Sequence, residues 1–421
     1  MMAFRAIFAA VLALLGAAYA QDTLPAHVLL LQKIKLHMKE ELRRQPDYTC
    51  LETAARYQRE GKRFELQDTV VLEVLTTADK ELYGSPGARE FTAEHPGSFT
   101  AGGLNGTGVF ALYARTLFVE DSAVFLYRGE EDLAGRRTVR YDYRVPVFLS
   151  GFTLQTSTAR GEVGMRGSFW ADPVTLDVLR LSVEATDIPP RLELRSSTQA
   201  IDYARARIAG GDVLLPQNAV VELEEESGGA RRNLLEFTHC RAFSAVSSIS
   251  FDAPESAAGS TAAKRRVEAP VLAPGLTIAI DLATEIAETD AIGKMIEARV
   301  AADVVQKRTV VAPAGAVVHG RLRRLERHSD FGKYFVVGLE FTDIELPGGP
   351  VRFYATLQDI AEKGRIQLML RKGVRPKPGE IWRDEEMYLP YVAGVASFFV
   401  KGERLDLPKN LRTVWKTREA R

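Results

Sequence analysis

The chain of 421 residues is poor in the residues that carry most enzyme chemistry. It has two cysteines and six histidines. None of the histidines (His27, His37, His95, His239, His319, His328) pairs with another at metal-ligand spacing. No Cys-x-x-Cys, His-Glu-x-x-His, Gly-x-Ser-x-Gly or phosphate-cradling glycine loop occurs, and no calcium loop of spaced acids. These absences argue against zinc proteases, α/β-hydrolases and nucleotide hydrolases, so no catalytic residue, no metal and no cofactor are expected. Basic and acidic residues balance at 55 each, which removes the basic footprint of a nucleic-acid binder. No apolar run reaches the ~20 residues that cross a bilayer. The most apolar late run, 391–400 (YVAGVASFFV), is half that length and reads as a buried strand.

The residual candidates for chemistry have simpler explanations. His239 adjoins Cys240, but neighbours on a strand point to opposite faces, a poor geometry for a nucleophile and its base. Glu222, Glu224, Glu225 and Glu226 run into Ser227-Gly228-Gly229, a hairpin tip where charge is solvated. Asp172, before Pro173, fits a turn.

What the chain does have begins at its first residue. Residues 1–20 (MMAFRAIFAAVLALLGAAYA) place Arg5 before an apolar stretch and end in Ala18-Tyr19-Ala20. This is the layout of a secretory leader cut between Ala20 and Gln21, the alternative being a retained anchor. Export implies a periplasmic, outer-membrane-associated or extracellular protein. In an oxidising compartment Cys50 and Cys240 can form a disulfide; two buried thiols are the other possibility.

Residues 24–45 carry an apolar stripe of Val28, Leu29, Leu31, Leu36 and Leu42 and stop at Pro46, which predicts a helix. Beyond Tyr48 the period falls to two. Strands are expected at 64–76, 110–118, 123–128, 161–170, 201–208, 219–225 and 233–243. Val139–Val145 and Leu179–Glu184 alternate apolar and polar without a break. The segment 253–270 is rich in small and polar residues and reads as a linker. Strands then resume at 277–282, 297–305, 317–325, 334–346 and 351–357, with one or two more within 388–407 and a basic tail. The expected organisation is a leader (1–20), a helix plus antiparallel sheet (21–252), a linker (253–270) and a second all-β domain (271–421). The fold class is mainly β (α+β), with an N-terminal helix on a large curved sheet followed by a small barrel or sandwich.

The first domain is rich in aromatic residues at expected strand positions. Phe110, Tyr113, Phe125, Tyr127, Tyr141, Tyr143 and Trp170 are the candidates for lining an apolar site under the helix. They are equally able to be the core itself.

The run Gly167-Ser168-Phe169-Trp170-Ala171-Asp172-Pro173-Val174-Thr175-Leu176-Asp177-Val178-Leu179-Arg180-Leu181 resembles the strand, Asp-Pro turn, strand hairpin of periplasmic lipoprotein-carrier proteins. In architecture the resemblance extends over 24–251. It implies a half-barrel whose concave face is plugged by helices and which binds or senses acyl chains without catalysis. The chain departs from that pattern in its larger first domain, its single clear helix, and the segments Tyr48-Thr49-Cys50 and His239-Cys240-Arg241. No binding residue is carried over. The run from Val310 to Leu322 is similar to a passage of the β-barrel scaffold domains of conjugation and type IV secretion complexes, which implies assembly in the envelope. The expected function is therefore a non-enzymatic envelope protein that binds a lipid or lipoprotein with its first domain and docks on another envelope protein with its second. The alternatives are a scaffold with closed cores, or a hydrolase of unfamiliar type using Glu222 or Asp172.

Overall fold

The computed structural model describes residues 24–77, 81–87, 91, 110–156, 159–208, 210–243, 270–328, 333–360, 366–368 and 394–419. The leader at 1–20 and the linker at 253–269 lie outside the described residues, as does the side chain of Phe110.

The first sheet is built from β1 (Tyr48–Glu60), β2 (Arg63–Thr76), β3 (Glu81–Gly84), β4 (Val124–Leu133) and β5 (Arg136–Val145). A small separate hairpin, β6 (Thr153–Gln155) and β7 (Arg160–Glu162), follows, and the sheet resumes with β8 (Gly164–Ala171), β9 (Val178–Thr186), β10 (Leu194–Ile208), β11 (Gly211–Glu225) and β12 (Ala230–Ala242). The ten strands are antiparallel in the order β3-β2-β1-β12-β11-β10-β9-β8-β5-β4, curled into a half-barrel. The period-two pattern fixes the faces. On β5, Val139, Tyr141, Tyr143 and Val145 are buried, while Arg140, Asp142 and Arg144 point the other way.

Helix α1 (Ala26–Arg44), helix α2 (Phe110–Phe118) and the single turn α3 (Val147–Ser150) complete this half. α1 buries Ile34 and Met38, with Leu30, Leu31 and Leu42 half-buried beside them. The apolar stripe read from the sequence is therefore offset, and its members Leu29 and Leu36 are exposed. α2 corrects the expected strand at 110–118. Tyr113, Ala114, Leu117 and Phe118 are all buried, a spacing of three to four residues that suits one helical face. The aromatic content of that segment favours a strand, and packing of one helical face overrides it. Tyr113 and Phe110 therefore belong to a helix.

The second sheet comprises β13 (Thr277–Leu282), β15 (Met295–Val300), β18 (Val317–His328), β19 (Tyr334–Leu346), β20 (Gly349–Arg352), β21 (Ala355–Ile360), β22 (Ile366–Leu368), β23 (Ala396–Lys401) and β25 (Arg412–Thr417). Its order is β21-β25-β13-β15-β18-β19-β23-β22, with β20 on β19. Short pairs join β14 (Ile286–Ala287) to β24 (Asp406–Leu407) and β16 (Val304–Gln306) to β17 (Thr309–Ala312). The basic end of the chain is not a free tail. β25 lies between β13 and β21, and Trp415 and Thr413 are buried there.

The two sheets meet at an edge. β3 covers only residues 73–76 of β2, so the earlier part of β2 has unpaired backbone groups on that side. Ile292 fills this edge: Val71 N–H donates to Ile292 O and Ile292 N–H donates to Thr69 O, both at 2.7 Å. Gly293 follows at φ +101°, and a Cβ there would lie 2.3 Å from Val71 O. Buried charge adjoins the contact. Arg324 binds Glu326 through two hydrogen bonds of 2.5 and 3.0 Å, and both act on Asp68, which pairs with Arg56 of β1.

Candidate functional site

The inner face of the curl is the face that the helices cover. Strands far apart in the sheet meet the same helix there. Tyr48 of β1, Tyr203 of β10 and Leu214 of β11 surround Met38, Glu41 and Leu42 of α1 and Gln45 just beyond it, and Tyr141 of β5 donates to His27 O at 2.6 Å. Only a concave sheet brings such distant strands to one helix.

α1 is fastened by polar ties along its length. His27 stacks on Tyr127 at 4.9 Å, and Lys35 pairs with Asp121. Nε2 of His37 meets Asp177 Oδ1 at 2.8 Å, and Arg205 chelates the same carboxylate at 2.7 and 2.9 Å while reaching Glu41 at 3.3 Å. The amide of Gln45 donates to Leu214 O at 3.3 Å. Burial pushes the Asp177 carboxyl up, but the hydrogen bonds from Arg205 and His37 together outweigh it and hold it below the ordinary aspartate value.

The aromatic candidates do not form one lining. Tyr113, Tyr141 and Tyr143 are buried on the inner side. Tyr113 meets Phe152 edge-on, and Tyr141 stacks on Phe169 at 5.2 Å. Phe125 and Tyr127 are half-buried beside them, Phe125 edge-on to Phe169 and Tyr127 tilted against Tyr141. Trp170 is on the outer face, where its indole N–H donates to Glu131 at 2.8 Å and Arg140 stacks over its ring. The hydroxyl of Tyr143 donates to Ser182 O at 2.7 Å beside Gly167, where a Cβ would lie 2.0 Å from that same oxygen.

Beneath the helices lies a polar group of residues that the aromatic pattern did not reveal. Glu52 of β1 is fully buried, and neither of its carboxyl oxygens has a hydrogen-bond partner among the described residues. The same holds for Gln199 Oε1 and the Tyr203 hydroxyl, although the Gln199 amide donates to Tyr113 at 2.8 Å. Burial pushes the Glu52 carboxyl up to about 8, with the nearby Glu81 adding to the shift. Glu81 in turn accepts from Tyr83 at 3.1 Å. A void of about 20 Å³ separates α1 from Tyr48, Tyr203 and Pro216, room for about one water. One sequence signal could have exposed Glu52: it shares strand parity with Tyr48, Cys50 and Ala54, all inner-face residues.

Cys50 and Cys240 form a disulfide between adjacent strands, with Cα atoms 4.1 Å apart. A bulge in β12, where His239 takes φ +52°, lets Cys240 face Cys50. The resembling hairpin is present as read. Asp172 Oδ1 accepts the backbone N–H groups of Val174 (2.8 Å) and Thr175 (3.1 Å), closing the turn between β8 and β9. Asp172 and Glu222 are spent on Arg136 and Arg232. The outer face carries an open groove of about 580 Å³ whose charged rim is self-paired, Arg166 with Glu184 and Ser168 with Asp142. Among the described residues no three His, Cys, Asp or Glu side chains converge as metal ligands, and no helix is long and apolar enough to cross a membrane.

No known protein family matches this sequence, and no curated protein does. Two solved structures are similar in part. One is a DUF1329 family protein from Desulfovibrio piger, 14% identical, with TM-score 0.27, covering 51% of this chain and 92% of its own. The other, from Vibrio parahaemolyticus, is described as an outer membrane lipoprotein-sorting protein domain; it is 11% identical, with TM-score 0.28, covering 52% of this chain and 93% of its own.

Proposed function

We propose that this protein holds an apolar or lipidated ligand, without chemical conversion, between the inner face of the first sheet and helices α1 and α2, and that it works in the cell envelope. The observation that carries the reading is the cover itself. α1 closes the inner face with a narrow apolar stripe and a set of side-chain ties, and its backbone makes no ladder with the sheet. Such a helix can leave and return without breaking a strand. The ligand takes the place of Ile34, Met38 and their neighbours, and each methylene it buries contributes about 0.8 kcal/mol. The disulfide between β1 and β12 keeps the wall intact while the cover moves. The second sheet, braced against the edge of β2 through Ile292, is the docking module for an envelope partner.

Organic extraction of the purified full chain followed by mass spectrometry, with titration of a fluorescent apolar probe, tests this reading. A bound lipid or a saturable signal supports it; the absence of both removes it. One observation favours the second reading, a scaffold with closed cores: the void beneath α1 is only about 20 Å³. That reading requires no saturable binding and stable partners in crosslinked envelope fractions.

A further inference from the structure

The inner face carries polar atoms that the described residues leave unanswered. Two oxygens of Glu52, Oε1 of Gln199 and the hydroxyl of Tyr203 are buried without partners among the described residues. Leaving a buried polar group unpaired costs roughly 1–3 kcal/mol. Glu52 and Tyr203 both lie within the electrostatic reach of Glu81, and Gln199 binds Tyr113, which acts in turn on Tyr203, so the three belong to one buried polar group. We propose that Glu52, Gln199 and Tyr203 receive the amine end of the ligand, an ammonium on an apolar body. This rests on the inner face being the ligand site and adds the chemistry of the ligand's polar end.

Three features select an amine. The first is the balance of donors and acceptors. Gln199 Oε1 can only accept, Glu52 accepts at both oxygens once ionised, and a hydroxyl accepts as well as donates, so the unanswered set calls for a group rich in N–H. The second is charge. Among the described residues the one charged group acting on Glu52 is Glu81, which is also acidic. Arg56, farther along the same strand as Glu52, is engaged with Asp68, and Arg205 of β10 with Asp177 and Glu41. A carboxylate or phosphate head would bring an ionised Glu52 no counter-charge. The third is the surroundings. Tyr48, Tyr113 and Tyr203 lie within the electrostatic reach of Glu81 and Tyr83 donates to it, so the acid sits among tyrosines, a residue type that attracts a cation. On arrival of the ammonium, Glu52 gives up its proton to solvent and the two opposite charges pair.

The test uses the intact chain and three probes with one tail and different heads: dodecylamine, dodecanol and dodecanoate, each below its micelle concentration, competing with a fluorescent apolar probe. Dodecylamine should displace the probe at a concentration about tenfold lower than either of the others. E52Q, which keeps the shape and removes the ionisable group, should bring the amine level with the alcohol. Calorimetry of the unaltered protein at pH 7 in two buffers of different ionisation enthalpy should register close to one proton released per amine bound and none per alcohol. Displacement by all three probes alike, with no proton release, leaves the apolar site standing and overturns the amine. Displacement by none overturns both.

Discussion

His37 on α1 and Asp177, the residue that leads into β9, are joined at 2.8 Å, and Arg205 of β10 grips both oxygens of the same carboxylate. One buried acid thus ties the cover helix to two strands of the wall. The latch is electrostatic and local, so it can open without loss of the strand ladders.

Asp177→Ala should loosen α1. The lost charge-assisted hydrogen bonds are worth about 1.5–3 kcal/mol, and amide exchange across 26–44 should quicken while exchange in β9 and β10 stays slow. The sign of the pH effect follows from the depressed carboxyl. Its stabilisation is present above the ordinary aspartate range and is lost as pH falls through the lower folded value. Acid should therefore speed exchange in α1 of the unaltered protein and change little in the variant. Equal exchange in the two proteins at neutral pH would show that the latch does not hold the helix.

Glu52 has the opposite sign. Its folded value of about 8 lies above the 4.5 of an unburied glutamate, so the folded state retains a proton that the unfolded chain gives up. The stabilisation is full below about pH 4.5 and declines as pH rises to about 8, at about 1.4 kcal/mol per pH unit. E52Q should remove this slope. Denaturant titrations of both proteins from pH 4 to 9 should give curves that part steadily above the lower limit; parallel curves would show that Glu52 is not buried as an acid.

The disulfide closes a loop of 190 residues between neighbouring strands. Cys240→Ala, or reduction, should cost about 2–5 kcal/mol, chiefly through the freedom that the unfolded chain regains. The melting midpoint with and without reductant measures it. An unchanged midpoint would mean that the bond is not formed.

Gly293 carries the contact between the sheets. Alanine there would sit at φ +101° and meet Val71 O at 2.3 Å, so Ile292 could not keep both of its hydrogen bonds to β2. Strain of about 1–3 kcal/mol is expected. Limited proteolysis should cut the variant between the two sheets faster than the parent, and equal rates would refute the role of this edge.

The sequence carried the strand-rich class, α1, the disulfide pair and the Asp172 hairpin because each has a short-range signature: period, a stop at Pro46, a pair of cysteines, or an acid before Pro173. Residues 110–118 were misread because aromatic content and helical spacing competed, and packing of Tyr113, Ala114 and Leu117 under the sheet decided for the helix. The strand at the basic end of the chain is hard to see because Arg412, Lys416 and other polar residues flank the buried row of Thr413, Trp415 and Thr417 in β25. The aromatic residues were visible, but not their sides: Tyr141 pairs across the strands with Phe169, and Trp170 with Arg140, and this register alone puts the first pair inward and the second outward. Asp177 ties to His37, 140 residues away, and Glu52 has no hydrogen-bond partner among the described residues, and no local pattern encodes either.

The most direct test of the account is hydrogen exchange of residues 26–44 and 113–118 during titration with a fluorescent apolar probe. Displacement of the cover by a ligand on the inner face requires saturable one-to-one binding, faster exchange in α1 and unchanged exchange in the strands beneath. A signal that never saturates, with α1 as protected as before, would contradict it.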